Sequence, residues 1–232
     1  MYEFQRGNLN FDLESLAPNE TFDERMTRLM EYFRDDSQLR DILITGGDAL
    51  MSSDKTLKKI FDSILTMARE KIEANKTRRD GEKYAELKRV RLGTRLPVYL
   101  PQRITPELKE VLSSFRQKAA VLGVEQFVVQ THFESPLEVT PEAKLGIQRL
   151  LDAGWMVTNQ LVFTASASRR GHSAKLRKVL NDVGVLPYYT FAVKGYMENS
   201  HNFATNARAV QEQIEEKALG IVPDSYHDQI TA

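Results

Sequence analysis

The sequence predicts an α/β protein built on a parallel sheet that is open or incomplete, and three observations predict it. Short apolar runs alternate with longer segments whose apolar residues recur at helical spacing. Strand starts near residues 126, 156 and 186 repeat at 30 residues, the length of one βα unit. Gly123, Gly154 and Gly184 each stand where a helix should close and a strand begin, the place of a left-handed C′ residue. Strands separated by full helices cannot be hairpins, so they run parallel with right-handed crossovers. The five strands that can be traced are too few for an eight-stranded barrel, and both an open doubly wound sheet and an incomplete barrel fit.

The elements follow in order. Residues 1–20 are polar and irregular and read as an N-terminal arm. A helix starts at Thr21, with Glu24 completing a capping box and Phe22, Met26, Leu29, Met30 and Phe33 on one face. The run Asp41-Ile42-Leu43-Ile44-Thr45 is a strand stopped by Gly46-Gly47-Asp48, and Leu57, Ile60, Phe61, Ile64 and Ala68 mark the next helix. Residues 71–88 carry too many charges for core and read as a solvated extension or insertion. A strand opens at Val90, and Thr105-Pro106-Glu107 caps a helix with proline at its first position. Phe127-Val128-Val129 is a strand, Thr140-Pro141-Glu142 starts another helix, and 156–163 and 186–193 are further strands. The barrel domain is expected over 21–220, with 221–232 as a C-terminal tail.

Composition narrows the function. The chain has 232 residues, 41% hydrophobic and 28% charged, the profile of a globular protein with a substantial core. Its 32 basic and 32 acidic side chains cancel, so no global field favours nucleic acid or an anionic membrane. No apolar run approaches the ~20 residues that span a bilayer, and the chain reads as cytoplasmic. It contains no cysteine, which excludes a disulfide framework, a thiolate zinc site, a cysteine nucleophile and any iron–sulfur ligation by this chain.

In either architecture ligands bind at the carboxyl ends of the strands. Two glycines after a strand let a ligand approach the backbone, and the carboxylate of Asp48 beside them can accept from an amine; a tight turn is the alternative. His132 ends an apolar strand and either titrates near a ligand or is a satisfied structural histidine. Asn159 and Gln160 interrupt a buried strand and need partners, from neighbouring loops or from a ligand. Arg95 and Lys194 are cations at strand ends suited to phosphate or carboxylate, or to salt bridges at the rim. Tyr188 and Tyr189 are expected to pack in the core with a hydroxyl reaching the mouth. The grouping of these residues at one sheet edge indicates a polar small-molecule site.

At these residues the sequence resembles the lysine 2,3-aminomutase family of radical S-adenosylmethionine enzymes. The matching blocks are DILITGGDAL at 41–50, RLGTRLPVYLPQRITPEL at 91–108, THFESP at 131–136, Asn159-Gln160 and Pro187-Tyr188-Tyr189. The resemblance implies a partial (β/α)6 TIM-like barrel, open on one side. It implies a 4Fe–4S cluster that reduces S-adenosylmethionine to a 5′-deoxyadenosyl radical. That radical takes a hydrogen atom from an amino acid held as an imine on pyridoxal phosphate, and the amino group moves to the adjacent carbon. Carried over, Gly46, Gly47 and Asp48 match the loop that binds the amino group of S-adenosylmethionine. His132 and Gln160 match contacts to the same cofactor, and Asn159 and Arg95 are neighbouring pocket residues.

Four departures accompany the matches. The family's CxxxCxxC has no counterpart, and no Gly-rich lysine segment follows Pro223. Where lysine-using members place an aspartate against the substrate's distal amine stands Lys194, which favours a glutamate-like amino acid over lysine. The family's cofactor-contacting tyrosine nearby is replaced by Phe191. The expectation is therefore the central piece of a longer aminomutase, with the first strand missing, the strand at 42–44 left as an edge, and no catalytic or metal-ligating residue in this chain. Cluster and pyridoxal phosphate belong to the full-length parent, for which a homo-oligomer is allowed. The alternative is a cluster-less, non-catalytic barrel that binds S-adenosylmethionine or another small molecule.

Overall fold

The computed structural model describes residues 20–164, 168 and 171–192, with Ile214 and Ser225 as isolated positions. Thr21 caps α1 (Phe22–Asp35): its hydroxyl accepts from the Glu24 N–H at 3.3 Å, and the Glu24 carboxylate accepts from the Thr21 N–H at 2.8 Å. There follow β1 (Asp41–Ile44), α2 (Asp54–Asn75), β2 (Arg89–Gly93), a single turn α3 (Leu96–Tyr99) and α4 (Pro106–Val121). The chain continues through β3 (Gln126–Thr131), α5 (Pro141–Asp152), β4 (Met156–Phe163), α6 (His172–Asp182) and β5 (Val185–Ala192). Thr105 and Thr140 accept from the amides of Leu108 and Ala143 at 3.2 and 3.1 Å, with Pro106 and Pro141 opening α4 and α5 as read. Gly123, Gly154 and Gly184 close helices at φ of +81°, +80° and +82°.

All five strands are parallel and lie in the order β1-β2-β3-β4-β5. An order that never reverses, with right-handed crossovers that always step the same way, puts every crossover helix on one face. This excludes the doubly wound alternative and gives the sheet the winding of a barrel wall, with β1 and β5 at its edges among the described residues. The register shows the consequence. Ile44, Leu92, Val129, Val157 and Val185 form one row across the whole sheet, and Ile42, Val90 and Phe127 form a second. Both rows face the helices, where they meet Leu57 and Phe61 of α2, Leu112 and Phe115 of α4, Ile147 of α5 and Leu176 of α6. Phe61 stacks on Phe115 at 4.2 Å, and Trp155 meets Phe127 edge-on at 5.5 Å.

Among the described residues the opposite face carries no helix. Leu43, Met156 and Leu186 on it are 40–48% exposed. Tyr188 and Tyr189 are 46% and 55% exposed, which corrects their expected place in the core. Among the described residues they sit on an edge strand with no helix over them, and their rings rest on each other at 4.5 Å.

The segment 71–88 is exposed over most of 76–83 and departs from its expected solvation at Lys71, Asn75 and Leu87. Helix α2 runs on to Asn75, and Lys71 is 1% exposed. The Lys71 ammonium donates to the carbonyls of Phe33, Asp36 and Leu39 at 3.1, 2.8 and 2.9 Å, so it gathers the chain leaving α1 against the core. Asn75 donates to the Tyr84 carbonyl and accepts its amide, both at 2.9 Å, which folds the returning strand-entry segment back until Leu87 is buried. A charged side chain whose three donors meet three carbonyls is a core element, and only its context reveals this. Helix α1 itself has no fully buried residue; Met30 and Phe33 pack on the core, while Phe22 and Leu29 stay exposed. Among the described residues no helix is long and apolar enough to cross a membrane.

Replacing Lys71 with methionine keeps the volume and strands three carbonyls, so it should destabilise the chain by about 3 kcal/mol. Urea unfolding at neutral pH checks this, and an unchanged midpoint would show that water serves the carbonyls equally well.

Candidate functional site

The loops that leave β1, β2 and β3 meet at the carboxyl edge of the sheet. Gly46 and Gly47 have φ of +106° and +88°, and a Cβ on either would meet nothing within 4 Å. The backbone conformation demands glycine there, and the glycines border open space. Asp48 then turns inward. Its Oδ1 accepts from the Leu50 amide at 3.0 Å and the Thr94 hydroxyl at 2.7 Å, and its Oδ2 accepts from the Arg95 amide at 2.6 Å. One carboxylate thus ties the loop after β1 to the loop after β2. Both oxygens already serve the protein's own donors, so the structure gives Asp48 an ordering role.

Arg95 follows the β2 terminus. Its guanidinium lies 4.6 Å over the Tyr99 ring, one helical turn on, and its Nη2 reaches Glu134 Oε1 at 3.5 Å. The Nε is enclosed and has no hydrogen-bond partner. His132 lies half-buried after β3, beside the backbone of Gln160. Burial first, and then the positive charge of Arg95, hold its imidazole below the ordinary histidine range. Burial raises the carboxyl of Glu134, against the pull of Arg95. The mouth therefore presents a neutral imidazole, a guanidinium and a carboxylate whose charge is weakly supported.

Asn159 faces the loop after β3: its Oδ1 accepts from the Phe133 amide at 2.6 Å and its Nδ2 donates to the Phe133 carbonyl at 3.0 Å. Of the two readings of this buried amide, the loop partner is the one realised. Gln160 is half-buried, and the register slips beside it: Asn159 pairs with Pro187 but Gln160 pairs with Tyr189, leaving Tyr188 as an extra residue. Such a bulge re-aims side chains at a strand end. Lys194 lies outside the described residues. The structure thus brings together Gly46, Gly47, Asp48, Arg95 and His132, with Asn159 and Gln160 beside them. It adds Tyr99, which the sequence reading did not single out, and gives partners to Thr94 and Glu134, strand-end residues to which that reading assigned no role. Their signal was present: Thr94 and Tyr99 flank Arg95 in RLGTRLPVYL, and Glu134 lies in THFESP.

The 4Fe–4S cluster does not fit the residues of this chain. There is no cysteine, and among the described residues no three His, Cys, Asp or Glu side chains gather.

No protein-family model matches the sequence. Among curated proteins, an uncharacterised KamA family protein of Methanocaldococcus jannaschii is 34% identical over 203 residues, 88% of this chain and 28% of that protein. The L-lysine 2,3-aminomutase of Clostridium subterminale is 34% identical over 72% of this chain and 34% of its own length. The chain belongs to the lysine 2,3-aminomutase (KamA-like) family. A glutamate 2,3-aminomutase of Clostridioides difficile is 29% identical over 76% of the chain and 36% of that enzyme. The chain spans about a third of the length of these KamA-like relatives.

The depressed imidazole makes a signed prediction for this KamA-like chain. Because the native state resists protonating His132, the unfolded state binds the extra proton first, and stability falls as pH drops through the ordinary histidine range. Glu134 acts in a lower window with opposite sign, since its raised carboxyl takes up its proton more readily in the native state. Thermal unfolding between about pH 7.5 and about pH 5.5 should therefore show a loss in the native chain that His132→Gln reduces. Parallel curves would mean that His132 is solvated in both states.

Proposed function

We propose that this chain forms the part of an amino-acid 2,3-aminomutase that holds S-adenosylmethionine. The full enzyme would move an amino group between adjacent carbons, with pyridoxal phosphate and a 5′-deoxyadenosyl radical as the family resemblance implies. The observation that carries this reading is the clustering of Gly46, Gly47, Arg95, His132 and Gln160 around one carboxyl edge, beside two glycines whose surroundings are open. The open backbone of Gly46 and Gly47 accepts the close approach of a polar ligand, Gln160 offers an amide, and neutral His132 offers a ring nitrogen. S-adenosylmethionine, when bound in this family, is the source of the radical. This chain supplies no thiolate for the cluster, so its own part is to bind and orient. Lys194, in place of an aspartate, favours a glutamate-like substrate over lysine.

A specific observation favours a second reading. A sequence without cysteine suits a barrel that binds S-adenosylmethionine and performs no radical chemistry. The two readings share the binding step and divide on an amino-acid substrate.

Calorimetric titration of the 232-residue chain with S-adenosylmethionine tests the shared step. Binding is expected, and Gln160→Ala should raise Kd about tenfold without moving Tm, because the residue is half-buried at the strand end and belongs to no packing row. Failure of the native chain to bind would overturn both readings. A further titration with L-glutamate and L-lysine separates them: saturable binding of L-glutamate supports the aminomutase, and binding of neither supports the non-catalytic barrel.

A further inference from the structure

The helix layer extends one step further than the described sheet beneath it. Helices α2, α4, α5 and α6 each lie between two neighbouring strands in the chain, whereas α1 leads into β1 and packs on the flank of α2. Its direction is set at both ends. Asp23 near its start pairs with Lys59 in the first half of α2, and the carbonyls of Phe33 and Asp36 at its end meet Lys71 in the last turns of α2. Helix α1 therefore runs parallel to α2, from the carboxyl edge of the sheet to the amino edge. That is the course of a crossover helix in a right-handed βαβ unit, whose first strand lies beside the second.

Three features meet at that position. The outer edge of β1 has no strand beside it among the described residues. The Arg40 carbonyl accepts from the Arg89 amide at 3.1 Å, so in a parallel ladder Ile42 turns its amide to β2 and Leu43 turns its own outward. On α1, Thr27, Met30 and Arg34 line the groove against α2, while Leu29 and Tyr32 on the other flank stay 44% and 61% exposed. The third feature is in the sequence before α1, outside the described residues. Leu9-Asn10-Phe11-Asp12-Leu13 alternates apolar and polar side chains, the pattern of a half-buried strand. Residues 15–20 then match the usual length of a loop between a strand and its helix. The spacing from Leu9 to Asp41 is also close to the 30-residue interval of the later units.

We infer that residues 8–14 pair in parallel with the outer edge of β1, with Leu9, Phe11 and Leu13 turned under Leu29 and Tyr32 of α1. The segment that reads as an irregular arm thereby becomes a strand, and the apolar row through Ile44 and Leu92 gains a member. The edge expected to stand open is closed by the chain itself, which removes a template for pairing with a second copy. Nothing in this pairing depends on the ligand that the mouth accepts.

Because the chain has no cysteine, pairs of introduced thiols report the contact without background. Three double variants of the full chain are treated with a short bismaleimide: Phe11→Cys with Leu29→Cys, Asp12→Cys with Leu29→Cys, and Phe11→Cys with Val121→Cys. Val121, 87% exposed at the end of α4, is the distant control. The first pair should cross-link within one chain at least about tenfold faster than either other pair, because neighbouring strand residues point to opposite faces. Equal rates for the three pairs would overturn the pairing, and cross-links between chains would assign the edge to a second copy instead. Hydrogen exchange at the Leu43 amide decides without new thiols, should a double variant not fold. Protection is expected in the native chain at any protein concentration, reduced at least about tenfold in Phe11→Asp while the amides of β3 stay protected. A Leu43 amide that exchanges freely, or whose protection rises with concentration or survives Phe11→Asp, would overturn the inference.

Discussion

The site depends on the carboxylate of Asp48. Three donors from three residues converge on it: the amide of the turn that follows, the Thr94 hydroxyl and the Arg95 amide. Thr94 in turn accepts from the Leu96 amide at 3.1 Å, so the same network fixes the entry to α3. Without this junction the glycine loop after β1 and the cation after β2 would be two independent loops at neighbouring strand ends. With it they are one surface whose polar groups keep fixed spacing, at the modest cost of desolvating one carboxylate that is fully hydrogen-bonded.

One-sided winding explains the rest of the arrangement. Because every described helix lies on one face, the rows that cross the sheet beneath them form a continuous core, and among the described residues the other face is left to polar and half-exposed side chains. On that free face Asp41 pairs with Arg91 at 2.9 Å and Arg89 reaches Gln126 at 2.6 Å, far from the glycine loop at the other end of the strands. The charges of the free face are therefore divided along the strands, with internal pairs at the amino end and the loosely paired Arg95 and Glu134 at the carboxyl end.

Much of the fold was legible because its signals are local. Thr21 with Glu24, Thr105 with Pro106 and Thr140 with Pro141 start helices through contacts within one turn, and the glycines that close them need only their own φ. Strand positions were legible because apolar runs between such boundaries have few other uses. What escaped was non-local. Lys71 reads as a surface charge until three carbonyls from 32 to 38 residues away converge on it. Tyr188 and Tyr189 read as core until the sheet order leaves β5 at an edge among the described residues. The site residues were legible as strand ends, but Asp48's engagement with the protein's own donors, and the partnership of Arg95 with Glu134 across 39 residues, required the register of three strands.

The most direct test of this account is native-state hydrogen exchange at the amides of Leu50 and Arg95. The account predicts protection at both in the native chain, lost by about tenfold or more in Asp48→Ala while the amides of β3 stay protected. An Arg95 amide that exchanges freely in the native chain, or protection indifferent to the loss of Asp48, would contradict the claim that one carboxylate assembles the site.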